Sequence, residues 1–118
     1  MQSDDLMTLT KSFGADVRRG LAELSGLGYD ATFLRRMLDN HGPVDAARRL
    51  VMAPSDGLMR LKALERLDMS VEMWVLLPWY EPLFSKEVRD KATRKLRQLG
   101  VDVPAEIAQL VAEREQEH

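Results

Sequence analysis

Apolar side chains recur along this chain mostly every three or four residues, and no segment alternates apolar with polar residues as a half-buried strand would. The pattern predicts an all-α fold of about six or seven short helices. Leu6, Leu9, Phe13, Val17, Leu21 and Leu24 form the stripe of a first helix, with Asp16, Arg18, Arg19 and Glu23 turned largely outward. Ser3 or Asp4 is placed to cap it. Gly14 and Gly20 each cost a helix about 1 kcal/mol relative to alanine, so a bend near Gly14 or the close approach of another helix is expected there. Ser25-Gly26-Leu27-Gly28 supplies the stop.

A second helix is expected from Ala31 to about Asn40, capped by Asp30, with Phe33, Leu34, Met37 and Leu38 on its inner face. Gly42-Pro43 starts a third, to about Met52, carrying Val44, Ala47, Leu50 and Val51 inward. After the turn Ala53-Pro54-Ser55-Asp56-Gly57, in which Ser55 or Asp56 is a cap candidate, a fourth helix bearing Leu58, Leu61 and Leu64 runs to about Leu67. Ser70 caps a fifth helix that ends at about Leu76, because Leu77 precedes Pro78 and is pushed off helical angles. Ser85 caps a sixth, with Val88, Ala92, Leu96 and Leu99 inward and Gly100 as the stop. Asp102-Val103-Pro104 opens the last helix, which carries Ile107, Leu110 and Val111 inward and frays over Glu113 to His118.

The 118 residues suit one domain with one core, read as an N-terminal helix and turn (1–27), a helical core (28–100) and an acidic C-terminal helix (101–118). Without cysteine there is no disulfide, thiolate nucleophile or sulfur-ligated metal. The acidic start lacks the basic and apolar regions of a signal peptide, and the longest apolar run, Met73 to Tyr80, is broken by Pro78. A soluble, cytoplasmic protein with no membrane partner is expected.

The most conspicuous stretch runs from Ser70 to Phe84 and holds both tryptophans. Its apolar residues outnumber what one helix face needs. They are either core or an interface. On the interface reading, Trp74, Leu77, Trp79, Tyr80 and Phe84 meet a partner protein or a second copy, since a loop bounded and stiffened by Pro78 and Pro82 loses little entropy on binding. Met52, Met59, Met69 and Met73 fit an adaptable core or an adaptable groove.

Charge adds a second candidate surface. The net charge of −2 argues against a wholly basic nucleic-acid binder. Locally, Lys86 to Arg97 sums to plus four and Val101 to His118 to minus four. Either these two helices neutralise each other side by side, or Lys86, Arg89, Lys91, Arg94, Lys95 and Arg97 form a phosphate-contacting arc, joined by the pairs Arg35-Arg36 and Arg48-Arg49. The helix dipole also favours cations toward the end of the sixth helix without any ligand.

No catalytic constellation accompanies these surfaces. His41 and His118 are the only histidines, and His41 stands where a helix cap belongs. The glycines do not form a phosphate-binding loop, and neither Asp39 with Asp45 nor any other carboxylate pair stands out among nineteen acids. No cofactor, metal or small-molecule substrate is indicated, and a non-enzymatic protein is expected.

Gly28-Tyr29, Phe33, Met37-Leu38, His41-Gly42, Ala46-Ala47, Leu50, Pro54-Ser55-Asp56-Gly57, Leu61, Leu67, Ser70-Val71-Glu72, Val75-Leu76, Pro78, Tyr80 and Leu83-Phe84 together resemble a recurring, largely uncharacterised small helical domain of bacterial proteins. The resemblance spans about residues 28–99. That domain stands alone or beside nuclease- or restriction-like domains, which implies an accessory interaction role in bacterial or phage nucleic-acid biology. It carries no catalytic residues to transfer. The chain departs from the pattern at Ala31, where proline is expected, and at Leu77 and Trp79, where polar residues are expected. The combined expectation is a helical interaction or adaptor module that regulates or inhibits a nucleic-acid-processing or defence complex. The alternative is a nucleic-acid-binding protein using residues 86–97.

Overall fold

The computed structural model describes residues 2–54 and 56–116. The cap candidates Ser3, Asp4, Ser55 and Asp56, and the terminal His118, fall among residues or side chains outside that description.

The expected all-α architecture is observed, and no strand occurs among the described residues. Helix α1 spans Gln2–Gly26, and the chain turns through Gly28 at φ +89, a left-handed conformation that glycine takes without steric cost. Helix α2 spans Thr32–His41, one residue later than expected; Ala31 takes the N-cap position, and the Asp30 carboxylate accepts from the Thr32 N–H at 3.0 Å. Helix α3, Pro43–Met52, begins on its proline, where a missing N–H leaves no helical bond unmade. Helix α4 covers Asp56–Ala63 and stops short of the expected Leu67. Glu65 takes φ 59 and the Arg66 N–H reverts to the Leu61 carbonyl at 2.8 Å, a terminal turn of the kind that glycine usually makes. A 3₁₀ turn at Leu67–Met69 follows.

Helix α5, Val71–Val75, is capped by Ser70, whose hydroxyl accepts from the Met73 N–H at 3.0 Å. Pro78–Leu83 forms a 3₁₀ helix instead of the expected loop. Helix α6 spans Lys86–Gln98 behind the Ser85 cap, and helix α7 spans Val103–Gln116, with Asp102 accepting from the Ala105 N–H at 3.3 Å. The radius of gyration, 13.6 Å, matches the ~13.5 Å that one compact domain of this length should have.

Every residue of α5 is buried, and α3, α6 and the two 3₁₀ segments pack around it. Helix α1 supplies Phe13, Val17, Leu21 and Leu24 to the main core, where the Phe13 ring meets Tyr80 and Phe84 edge-on at 5.0 and 5.1 Å. Its two internal glycines mark close approaches, as expected. A Cβ on Gly14 would lie 3.2 Å from Pro43, and one on Gly20 would lie 2.4 Å from the Trp74 ring. A smaller cluster of Met73, Leu96 and Val103 sits beneath α7.

Lys95 binds the three central helices together. Its ammonium donates to the Leu50, Val51 and Ala53 carbonyls at 3.3, 2.9 and 3.0 Å and to the Glu72 carboxylate at 2.7 Å. The last carbonyls of a helix have no intrahelical donor, so a side chain of α6 caps the end of α3 while its charge is balanced from α5. Both residues are buried.

Two substitutions test this packing. In an open helix Gly20→Ala would stabilise by about 1 kcal/mol; here the clash with Trp74 should reverse the sign and cost about 1–3 kcal/mol in urea unfolding. Lys95→Met should cost about 3–5 kcal/mol by removing the ammonium that balances a buried carboxylate. Lys95→Met with Glu72→Leu should recover part of that loss, the remainder reporting the lost cap on α3.

Candidate functional site

Trp74, Leu77, Tyr80 and Phe84 are buried within the chain and belong to the main core, which corrects their assignment to an interface. Trp74 lies on the buried α5 against Gly20, and Phe84 meets Phe13; for Leu77 and Tyr80 the 3₁₀ helix is the physical reason. With three residues per turn, Leu77, Tyr80 and Leu83 share one face, and that face packs onto α1. Trp79 is half-buried. Arg114 of α7 lies over its ring, 4.7 Å from the centroid. The Tyr80 hydroxyl donates to Asp16, which also pairs with Arg19 and Arg114, each at 3.3 Å. Burial first, then the Asp16 bond, raises the Tyr80 pKa well above the phenol range, so the hydroxyl keeps its proton as a donor. The Trp79 indole N–H is buried without a hydrogen-bond partner.

The basic arc is also broken up. Lys95 is removed from it by burial, a second correction. Lys86 pairs with Asp90 at 2.9 Å and Arg89 with Glu81 at 3.7 Å. Arg48 and Arg49 both engage Asp45, the latter at 2.8 Å, and Arg35 donates to the Ser25 hydroxyl at 2.9 Å. Among the described residues, Lys91, Arg94, Arg97 and Arg36 show no ion pair, and none joins α6 to the acidic α7. Mutual neutralisation of the last two helices, one of the two alternatives, is therefore not made by ion pairs among the described residues. His41 lies 3.8 Å from Asp45.

A different feature emerges between α2 and α4. An open groove of about 330 Å³ has the buried Leu24, Leu58, Leu61, Met69 and Val71 at its base and the half-buried Leu34 and Leu50 beside them. Phe33 lines it while 66% exposed, which corrects its expected place on the inner face of α2. Tyr29, Asp30 and Arg60 complete the mouth, and the buried Glu72 reaches it from α5. Asp30 is held below the ordinary carboxyl range, first by its hydrogen bonds with Thr32 and then by Arg60 and Arg35, so it is ionised beside these two cations. Tyr29 is raised mainly by burial. Leu27, Met52, Met59 and Leu64 are exposed but do not line the groove, while Met69 and Met73 are buried.

The residue that sequence pattern misplaced here is Phe33. Leu34, Met37 and Leu38 already complete the inner stripe of α2, and Phe33 lies one position to its side. That surplus was its signal. Among the described residues, no group of three or more acidic or histidine side chains is placed to hold a metal, and no helix is long and apolar enough to cross a membrane.

Comparison with family models, curated proteins and solved structures gives no significant match.

The Asp45 cluster makes a pH prediction. Hydrogen bonds from Arg49 first, then Arg48, lower its pKa from 3.8 to about 2. The contribution of these contacts should be present above pH 3.8 and disappear as pH falls through about 2. Carboxyl NMR titration should place the Asp45 midpoint near 2 and move it upward in Arg49→Gln.

Proposed function

We propose that this chain is a non-enzymatic helical interaction module that grips a helix of a partner protein in the groove between α2 and α4. The observation that carries the reading is Phe33, a large aromatic side chain left 66% exposed at the edge of a cavity with an apolar base. Single exposed apolar residues are ordinary on protein surfaces. An aromatic beside a concave apolar base is the arrangement in which binding hot spots occur. The groove base belongs to packed helices, so a partner would meet a shape that is already formed.

The chemistry-bearing side chains support a non-catalytic reading because they are engaged in structure. Lys95 caps α3, Glu72 balances it, Tyr80 and Arg114 hold Asp16, and His41 stands beside Asp45. The resemblance over residues 28–99 adds the biological setting, a regulator or inhibitor of a bacterial or phage nucleic-acid-processing or defence complex. The nucleic-acid-binding alternative retains Lys91, Arg94 and Arg97 on α6. Their lack of ion pairs among the described residues is what favours it as a second reading.

Affinity purification of the tagged chain separates these readings. Phe33→Asp, at an exposed position, should change stability by no more than about 0.5 kcal/mol and abolish recovery of a nuclease-resistant protein partner. Leu77→Asp, by contrast, should unfold the chain. Recovery that instead requires nucleic acid, is lost in Arg94→Glu with Arg97→Glu, and weakens with salt at a log-log slope of about −0.9 per phosphate would replace the module reading with the alternative.

A further inference from the structure

A second open groove, of about 550 Å³, lies between α7 and the segment from Lys62 to Asp68. The fully buried Met73 is at its base, with the half-buried Leu67, Leu99, Val101 and Leu110 around it. Its charged lining is one-sided: Asp68, Asp102, Glu106 and Glu113 against a single cation, Lys62. Asp68 is already paired with Arg66 at 3.2 Å, whereas Asp102, Glu106, Glu113 and Lys62 have no ion-pair partner among the described residues. The carboxylates at 102, 106 and 113 fall at i, i+4 and i+11, which sets them in one row about 16 Å long on α7 and its cap. The helix dipole accounts for Asp102 and Glu106 at the start of α7. It does not account for Glu113, three residues before the end at Gln116, where cations are favoured. Asp102 and Glu106, one turn apart, also repel each other. The row is an acidic edge to an apolar floor, with no counter-charge from α6.

We propose that this groove takes a basic amphipathic helix of a partner protein, laid along α7 with Lys or Arg facing Asp102, Glu106 and Glu113 and one apolar side chain seated over Met73. The lining is shared at no residue with the groove between α2 and α4, so the two surfaces stand or fall separately. The sign of the lining turns away a phosphate backbone. Among the described residues the carboxylates do not converge on one metal ion. A polyamine would bring cations but no bulky side chain for the apolar floor. A helix brings both, and its period repeats that of the row it lies beside. The carboxylates meet their partners at the rim, in high dielectric, so they act on partner choice and encounter rate, while the apolar anchor sets the lifetime of the complex.

Selection from a displayed library of randomised helical peptides about 14 residues long, against the immobilised full chain, tests this directly. Enriched helices should carry Lys or Arg in one row at helical spacing beside a Leu, Met or Phe anchor. Glu106→Lys with Glu113→Lys should slow their association about tenfold and remove its salt dependence, with circular dichroism unchanged. Replacing the anchor of a selected peptide by alanine should weaken binding about tenfold. Phe33→Asp, which tests the other groove, should leave this binding unchanged. Failure to select any helix that responds to the two reversals would overturn the assignment, as would a scrambled peptide of the same composition that binds equally well. Spermidine bound through Glu106 and Glu113 where no helix is selected would replace the helix with a polyamine. Self-association in sedimentation that the two reversals abolish would replace the partner with a second copy of the chain.

Discussion

An ammonium group inside a helical domain must have acceptors on every side, and Lys95 finds them at the end of one helix and on the carboxylate of another. This requirement fixes three elements at once. The α3 carbonyls at Leu50, Val51 and Ala53, the α5 carboxylate of Glu72 and the α6 backbone that carries Lys95 cannot shift independently without leaving a buried charge or carbonyl unpaired. The packing of α1 on Pro43 and Trp74 sets a fourth helix against elements of this junction.

The same constraint reaches the surface. Glu72 faces the groove and binds Lys95, so the groove base inherits the rigidity of the three-helix junction. Such a base suits recognition better than a loop-built one, because little ordering remains to be done on binding. Lys95 also changes the meaning of α6. A helix that reads as a nearly continuous basic arc has one of its cations turned inward as a cap, and two others, Lys86 and Arg89, paired with carboxylates.

A second set of contacts ties the chain's ends to this junction. Asp16 on α1 receives the Tyr80 hydroxyl and the Arg114 guanidinium, and Arg114 covers the Trp79 ring. The aromatic residues between the two prolines are thereby consumed in joining α1, the 3₁₀ helix and α7. Apolar crowding in sequence led to the interior, and the exposed aromatic lay elsewhere.

Helical periodicity, the caps at Ser70, Ser85 and Asp102, the proline start of α3 and the close approaches at Gly14 and Gly20 were all legible in the chain. Each depends on chemistry within a few residues, or on the absence of a side chain, and such local causes are written in the sequence. The 3₁₀ helix at Pro78–Leu83 was not legible, because proline spacing admits a stiff loop as readily as a three-residue turn whose one face is buried. Nor were the burial of Lys95 and the groove between α2 and α4, and the exposure of Phe33 was signalled only by its surplus to the inner stripe of α2. The burial of Lys95 depends on carbonyls more than forty residues away. The sequence alone determined which segments are helical and which side of most of them is apolar. Only the tertiary structure decided which charges are spent inside and which apolar side chains are left outside, because both follow from how the helices meet.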